Sequence, residues 1–210
     1  MRLLLVRHGE SEGNANRVFQ GRTDYGLTPL GRLQAERTAE ALRGAGVTAL
    51  VTSPLRRAAE TAAIIGTGLG LEARVDEALL EYDVGALSGL SIGEVRERFP
   101  ALVEAWRVSG TRPPLPGEEG RELFYSRVSS FIHGIEWRSE GTTVAVAHGG
   151  VINAACHVVL GVEFADFFTT LRTFAAANCA LTEIRCDPAG RLVLARHNDD
   201  CHLEGLAPPG

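Results

Sequence analysis

Leu3 to Val6 form a continuous apolar run with polar neighbours on both sides, the pattern of a short strand buried on both faces. Val47 to Thr52 and Thr143 to Ala147 repeat it, and Leu71 to Val75 is a further candidate strand. Between them the period changes. Leu30, Leu33, Ala35, Ala39 and Leu42 recur at helical spacing, with Thr28 at the N-cap position, Pro29 in the first turn and Gly44 as a stop. Ser53-Pro54 predicts the start of a second helix running through Ile65, stopped by Gly66, Gly68 and Gly70. A third begins at Gly149 and runs to about Val159. Cys179–Arg185 and Arg191–Arg196, joined by Asp187-Pro188-Ala189-Gly190, read as a closing hairpin.

Alternating strands and helices predict an α/β fold. The expectation is a three-layer α/β/α sandwich whose mostly parallel sheet has an antiparallel edge strand. Residues 88–122 break the alternation. Within them Arg107 to Gly120 carries Pro113, Pro114 and Pro116 and reads as an exposed loop. The segment is taken as an insertion over the sheet's working edge within a single domain spanning 1–210, a length that suits one substantial core.

Charge and composition narrow the function. The net charge of −5 gives no electrostatic footprint for nucleic acid or an acidic membrane. The apolar run at the N-terminus is too short for a signal peptide or a membrane span. Cys156, Cys179, Cys186 and Cys201 lack a CxxC spacing and read as thiols of a reducing compartment, so a cytoplasmic location is expected. Cys201-His202 with His197 is a thin zinc pattern, because no second paired element accompanies it. All 21 Lys+Arg residues are arginine, which excludes a Walker phosphate loop and Schiff-base chemistry, both of which need lysine.

Two strands end alike. The first runs into Arg7-His8-Gly9-Glu10 and a later one into His148-Gly149-Gly150. Ligands of open α/β sheets bind outside the carboxyl ends of strands, where glycine lets the backbone turn and approach. Arg7 adjoins His8, and Arg56-Arg57 lie at the start of the helix after the second strand. Arginine's planar fork matches two phosphoryl oxygens, and a helix N-terminus adds unpaired N–H groups. Together these groups suit a phosphate pocket.

On these motifs the chain resembles the histidine phosphatase superfamily, which includes the cofactor-dependent phosphoglycerate mutases. Arg7-His8-Gly9-Glu10-Ser11 with Asn14 and Gly21 matches the family's opening. Ser53, Leu55, Arg57, Ala58, Thr61 and Ala62 match its second element and select Arg57 over Arg56. Glu81, Gly85 and Gly89 match a third, His148-Gly149-Gly150 a fourth, and Asn198-Asp199 is family-like. The resemblance implies a phosphatase that hydrolyses small-metabolite monoesters through a phosphohistidine on His8. Arg7, Arg57 and His148 would hold the phosphoryl oxygens, and Glu81 would act as general acid and then general base. Asn14, Gln20 and Gly149 would help bind the phosphate. Neither metal nor cofactor is implied, and the partner is a small-molecule phosphate ester.

The alternatives are a phosphoglycerate mutase and a non-catalytic phosphate-binding module. The mutase pattern has arginine directly after the glutamate, where this chain has Tyr82, and a lysine from its insertion, which this chain lacks. Asp83, Glu118 and Glu119 compete with Glu81 as acids. Tyr82, Arg107 and Arg112 are candidates to touch the substrate's organic part, while His133 and His157 read as structural.

Overall fold

The computed structural model describes residues 1–109, 113–137, 139–162 and 174–206. A six-stranded sheet runs in the order β3-β2-β4-β1-β5-β6. Strands β1 (Arg2–Arg7), β2 (Val47–Thr52), β3 (Ala73–Val75) and β4 (Thr142–Ala147) are parallel. β5 (Leu181–Cys186) lies antiparallel to β1, and β6 (Leu192–Asp199) lies antiparallel to β5. The expected hairpin is therefore the antiparallel edge.

The apolar runs split by alternation, because successive strand residues face opposite sides. Leu3 and Leu5 of β1 and Ala145 and Ala147 of β4 pack under α6 (Arg121–His133) and α7 (Gly149–Val159), against Phe124, Val128, Ile132, Val151 and Ile152. Leu4, Val6, Val144 and Val146 face α2 (Pro29–Leu42) and α3 (Arg56–Leu69), against Ala39, Leu42, Ala58, Ala62 and Ile65. Burying a Leu or Ile in this way stabilises by about 1.5–3 kcal/mol.

Three local expectations are corrected. α3 continues through Gly66 and Gly68 to Leu69, and only Gly70, left-handed at φ 70°, ends it. Gly66 is needed for closeness rather than for termination, since a Cβ there would overlap the Leu71 carbonyl. The helix begins at Arg56 with Leu55 at the N-cap, so Ser53 does not cap it. Residues 88–122 are more ordered than a proline-rich loop. They contain α4 (Ile92–Arg98) and α5 (Pro100–Ser109), and Leu87, Val95 and Leu102 form a small core with Phe19, Val84 and Phe99. Only the stretch after Ser109 carries the proline pattern, and Arg112 lies outside the described residues. A short helix, α1 (Glu12–Ala15), follows β1 and was not anticipated. Ser11 and Asn14 form its capping box.

The insertion packs on two segments that matter below. Phe19 N–H donates to the Leu90 carbonyl and Gly89 N–H to the Phe19 carbonyl, while Glu119 N–H donates to the Asp83 carbonyl. Among the described residues no helix is long and apolar enough to cross a membrane.

Candidate active site

The ends of three adjacent parallel strands converge. Past β1, His8 N–H donates to the Ala147 carbonyl, and past β2, Ser53 N–H donates to the Val146 carbonyl, so both ladders extend one residue beyond the strands. His8, Ser53 and His148 thus meet at one edge, all of them buried. The two imidazole rings are 5.2 Å apart between centroids and tilted by 57°.

The His8 ring is set by one bond. Its Nδ1 lies 2.7 Å from the Gly9 carbonyl oxygen, which only accepts. Nδ1 therefore carries the hydrogen, and Nε2 keeps its lone pair. Burial, reinforced by the charges of Arg7 and Arg57, holds the His8 pKa well below the ordinary 6.5. His148 Nε2 lies 2.8 Å from Ser53 Oγ, and burial, with His8 and the same arginines, lowers its pKa in the same direction. In the free pocket both histidines are neutral, so the positive charge comes from the arginines.

Arg57 is fully buried. Its two Nη atoms donate to the carbonyls of Gly21 and Thr23, each at 2.8 Å, which fixes the plane of the guanidinium. Arg7 donates through Nη1 to the Ala176 carbonyl. Burial lowers both arginine pKa values, and the charge of Glu81 opposes the shift, so Glu81 lies within electrostatic reach of both. Arg7 Nε, Arg57 Nε and His148 Nδ1 are buried without a hydrogen-bond partner among the described residues. Buried polar nitrogens left bare cost about 1–3 kcal/mol each. Three in one pocket mark a site built for an anionic ligand. Arg56 differs: its Nε pairs with Glu60 at 2.7 Å on the surface, and its backbone N–H, the first of α3, donates to Asp24.

Glu81 reaches the other helix start. Gly150 N–H in the first turn of α7 donates to Glu81 Oε2 at 3.1 Å, and Tyr82 N–H to Oε1 at 2.9 Å. Two of the competing acids, Asp83 and Glu119, are committed elsewhere. Asp83 accepts from Gly85 N–H in a turn, and Glu119 pairs with Arg22 and Arg127. Asn14 uses Oδ1 to accept from Ser11 N–H and from Asn178, leaving its Nδ2 without a bond among the described residues. Gln20 Oε1 lies 2.8 Å from Ser11 Oγ. Gly149 opens α7, close to Arg7 Nε. Gly9 meets backbone rather than ligand: a Cβ there would strike the Gly31 carbonyl.

The remaining candidates fall outside this cluster. Arg107 is exposed and folded onto Glu104, and the Tyr82 ring stands edge-on to Phe124. His133 and His157 each bond a carbonyl one turn back through Nδ1, as structural helix histidines do. His197 turns toward Thr182 and Cys156 while His202 turns to Thr38 on α2, so the zinc pattern disperses. Among the described residues no three His, Cys, Asp or Glu side chains converge. Burial pushes the Cys156 and Cys179 thiols up to about 12, which leaves them inert.

A family model for the histidine phosphatase superfamily (branch 1) matches residues 3–200. The chain belongs to this superfamily. Phosphoserine phosphatase 1 of Hydrogenobacter thermophilus is 30% identical over 204 residues, covering 97% of this chain and 94% of that protein. Glucosyl-3-phosphoglycerate phosphatase of Mycobacterium tuberculosis is 34% identical over 177 residues, covering 79% and 78%. The solved structure of a mycobacterial glucosyl-3-phosphoglycerate phosphatase with VO3 superposes with a TM-score of 0.81 at 31% identity, covering 94% of this chain and 98% of that one. This histidine phosphatase is accordingly a phosphoric monoester hydrolase of small metabolites.

Several residues that shape its pocket are not among the site residues expected from the sequence. Ser53 holds His148. Asn178 donates to the His8 carbonyl at 2.9 Å and to Asn14 Oδ1 at 3.2 Å. Arg127 donates to the Ala78 and Glu81 carbonyls and grips Glu119 with two nitrogens. The ordered motif around Ser53 is the one clue that was available; the others lie far from the motifs in sequence.

Proposed function

We propose that His8 is the nucleophile of a two-step hydrolysis, with Glu81 as general acid and base and with Arg7, Arg57, His148 and Asn14 as phosphoryl ligands. The observation that carries this reading is the His8 ring, neutral and with its Nε2 lone pair kept free by the Nδ1 bond to Gly9. In the first step Nε2 bonds phosphorus while the ester P–O bond breaks, and Glu81 gives its proton to the departing alkoxide. In the second, a water oxygen bonds phosphorus as the P–N bond breaks, and the Glu81 carboxylate takes the water's proton. The arginines and His148 steady the equatorial oxygens throughout.

Phosphoserine and the phosphoglycerate unit, named in the relatives, share one skeleton: a phosphoester on CH2, then a substituted carbon bearing carboxylate. We take that skeleton as the substrate class and a reducing, cytoplasmic location as part of the same reading, supported by four free cysteines. The test is rapid-quench labelling. Brief exposure to a 32P-labelled monoester should leave base-stable, acid-labile phosphate on the peptide holding His8, and His8→Ala should abolish both label and turnover. Full turnover by His8→Ala would reject the assignment.

A further inference from the structure

The side of the site where the leaving group must emerge carries a charge that phosphate binding does not use. Gly21 and Thr23 give their carbonyls to Arg57, and Arg22, between them, donates from Nε to the Glu81 carbonyl at 3.3 Å. Arg22 therefore spans the phosphate-binding arginine and the acid that serves the leaving oxygen. Its Nη2 is 3.0 Å from Glu119 Oε1, and the side chain is 36% exposed. Nη1 has no partner among the described residues.

Glu119 is almost wholly buried and also accepts from Arg127 at 2.8 and 2.9 Å. One carboxylate thus faces two guanidiniums. Arg127, 16% exposed and bound to the Ala78 and Glu81 carbonyls, is fixed as a support. Arg22 is the more exposed partner, with a free donor edge. Two guanidiniums against one carboxylate leave one net positive charge beside the Glu81 backbone.

Resting on the reading that Glu81 serves the leaving group, we infer that Arg22 is the specificity-determining residue that recognises a carboxylate on the leaving group. A planar carboxylate fits the two-pronged guanidinium edge. Glu119 and the Glu81 carbonyl hold that edge in place before substrate arrives, which reduces the ordering cost of binding. The hydroxyl or amine beside the carboxylate plays no part in this recognition.

The test uses two matched pairs, each differing at the carboxylate: O-phosphoserine with O-phosphoethanolamine, and 3-phosphoglycerate with glycerol 3-phosphate. The wild type should favour the carboxylated member of each pair. Arg22→Gln should lower that kcat/KM ratio by on the order of tenfold to a hundredfold, mostly through KM, as expected for loss of a charge-assisted hydrogen bond. Arg22→Lys should restore part of the ratio. Arg127→Lys, which keeps the cluster's charge but gives up the two-nitrogen grip on Glu119 and the bonds to the Ala78 and Glu81 carbonyls, should slow both members alike. A wild-type ratio near one would overturn the inference, and so would an Arg22→Gln loss equal for both members. The comparison needs only turnover, so it stays legible even if His8→Ala refutes the phosphohistidine.

Discussion

Glu81 and Gly150 stand so close that a Cβ on the glycine would overlap the carboxylate Oε1. The absence of a side chain there lets the first turn of α7 donate its Gly150 N–H to Glu81 and direct its dipole at the carboxylate. Gly150→Ala should therefore push the Glu81 carboxyl out of line while the helix, with alanine the better helix former, keeps its stability. We expect kcat for alkyl phosphates to fall on the order of a hundredfold, within the usual range for general acid catalysis. For p-nitrophenyl phosphate, whose leaving group needs little protonation, the fall should be far smaller. Steady-state kinetics on both esters, with a melting curve as control, would check this; equal losses would mean that Glu81 does not protonate the leaving group.

Asn178 ties the His8 backbone to Asn14. Removing its amide in Asn178→Ala leaves the His8 carbonyl without that donor and frees Asn14 to turn. The His8 carbonyl keeps a longer bond from Cys179 N–H at 3.4 Å, so a stability loss of about 0.5–1.5 kcal/mol is expected, the net worth of one hydrogen bond. A rise in KM should accompany it if Asn14 Nδ2 serves the phosphate. Chemical denaturation and KM for a single ester would measure the two separately, and an unchanged KM would remove Asn14 from the set of ligands.

How far the sequence could be read depends on the range of each interaction. Leu3 to Val6 announced a two-faced strand because burial on both sides is a local pattern, and Thr28-Pro29 announced α2 because caps are local too. His8 and His148 were legible through their repeated setting after strands. Arg57 over Arg56 follows from motif register; in the structure Arg57 is buried against two carbonyls and Arg56 is salt-bridged at the surface. The Arg22–Glu119–Arg127 cluster was not legible. Its members come from a loop, the end of the insertion and α6, and only the tertiary fold brings them together. Gly66 and Gly68 misled because glycine's weak helix propensity was read as termination, whereas packing against Leu71 and Ala39 required small residues.

Stability should depend on pH in a direction set by the two site histidines. Both are held well below 6.5 in the folded chain, mainly by burial, and return to about 6.5 on unfolding. Below 6.5 the unfolded chain thus binds more protons, so stability rises with pH up to that value and levels off above it. His202 shifts the same way. Melting temperature should fall as pH is lowered from 7 toward 5, and His148→Asn should flatten that slope. A slope unchanged in both His148→Asn and His8→Asn would show that these rings are not held neutral. The same shift means that kcat/KM should show no downturn near pH 6.5 from protonation of the nucleophile.

Chelation offers a check on charge. The groups assigned to the phosphoryl oxygens are arginine, histidine and asparagine, so treatment with EDTA should leave kcat unchanged. Vanadate, which adopts five-coordinate geometry, should compete with substrate. Activity lost to EDTA and regained with one divalent ion would put a metal into the mechanism.

The choice between water and a second hydroxyl as phosphoryl acceptor follows from how much charge the leaving-group side can hold. A mutase must retain a bisphosphorylated carboxylate long enough for it to turn over in the site, and that intermediate carries several negative charges. Beside Glu81 this chain presents Arg22 and Arg127, one of which is neutralised by Glu119, and it has no lysine to add. Arg107 of α5 is exposed and folded onto Glu104. A single net cation can orient a carboxylate, but it gives little hold on a second phosphate, so product should leave before it can reorient. Incubation with 3-phosphoglycerate and 2,3-bisphosphoglycerate should therefore release inorganic phosphate with no build-up of 2-phosphoglycerate by 31P NMR. Adding cations in Tyr82→Arg should slow phosphate release more than it raises isomerisation, because one arginine still leaves the second phosphate largely unheld. Rapid isomerisation by the wild type without phosphate release would mean that cations from elsewhere reach the site, and the chain would then be a mutase.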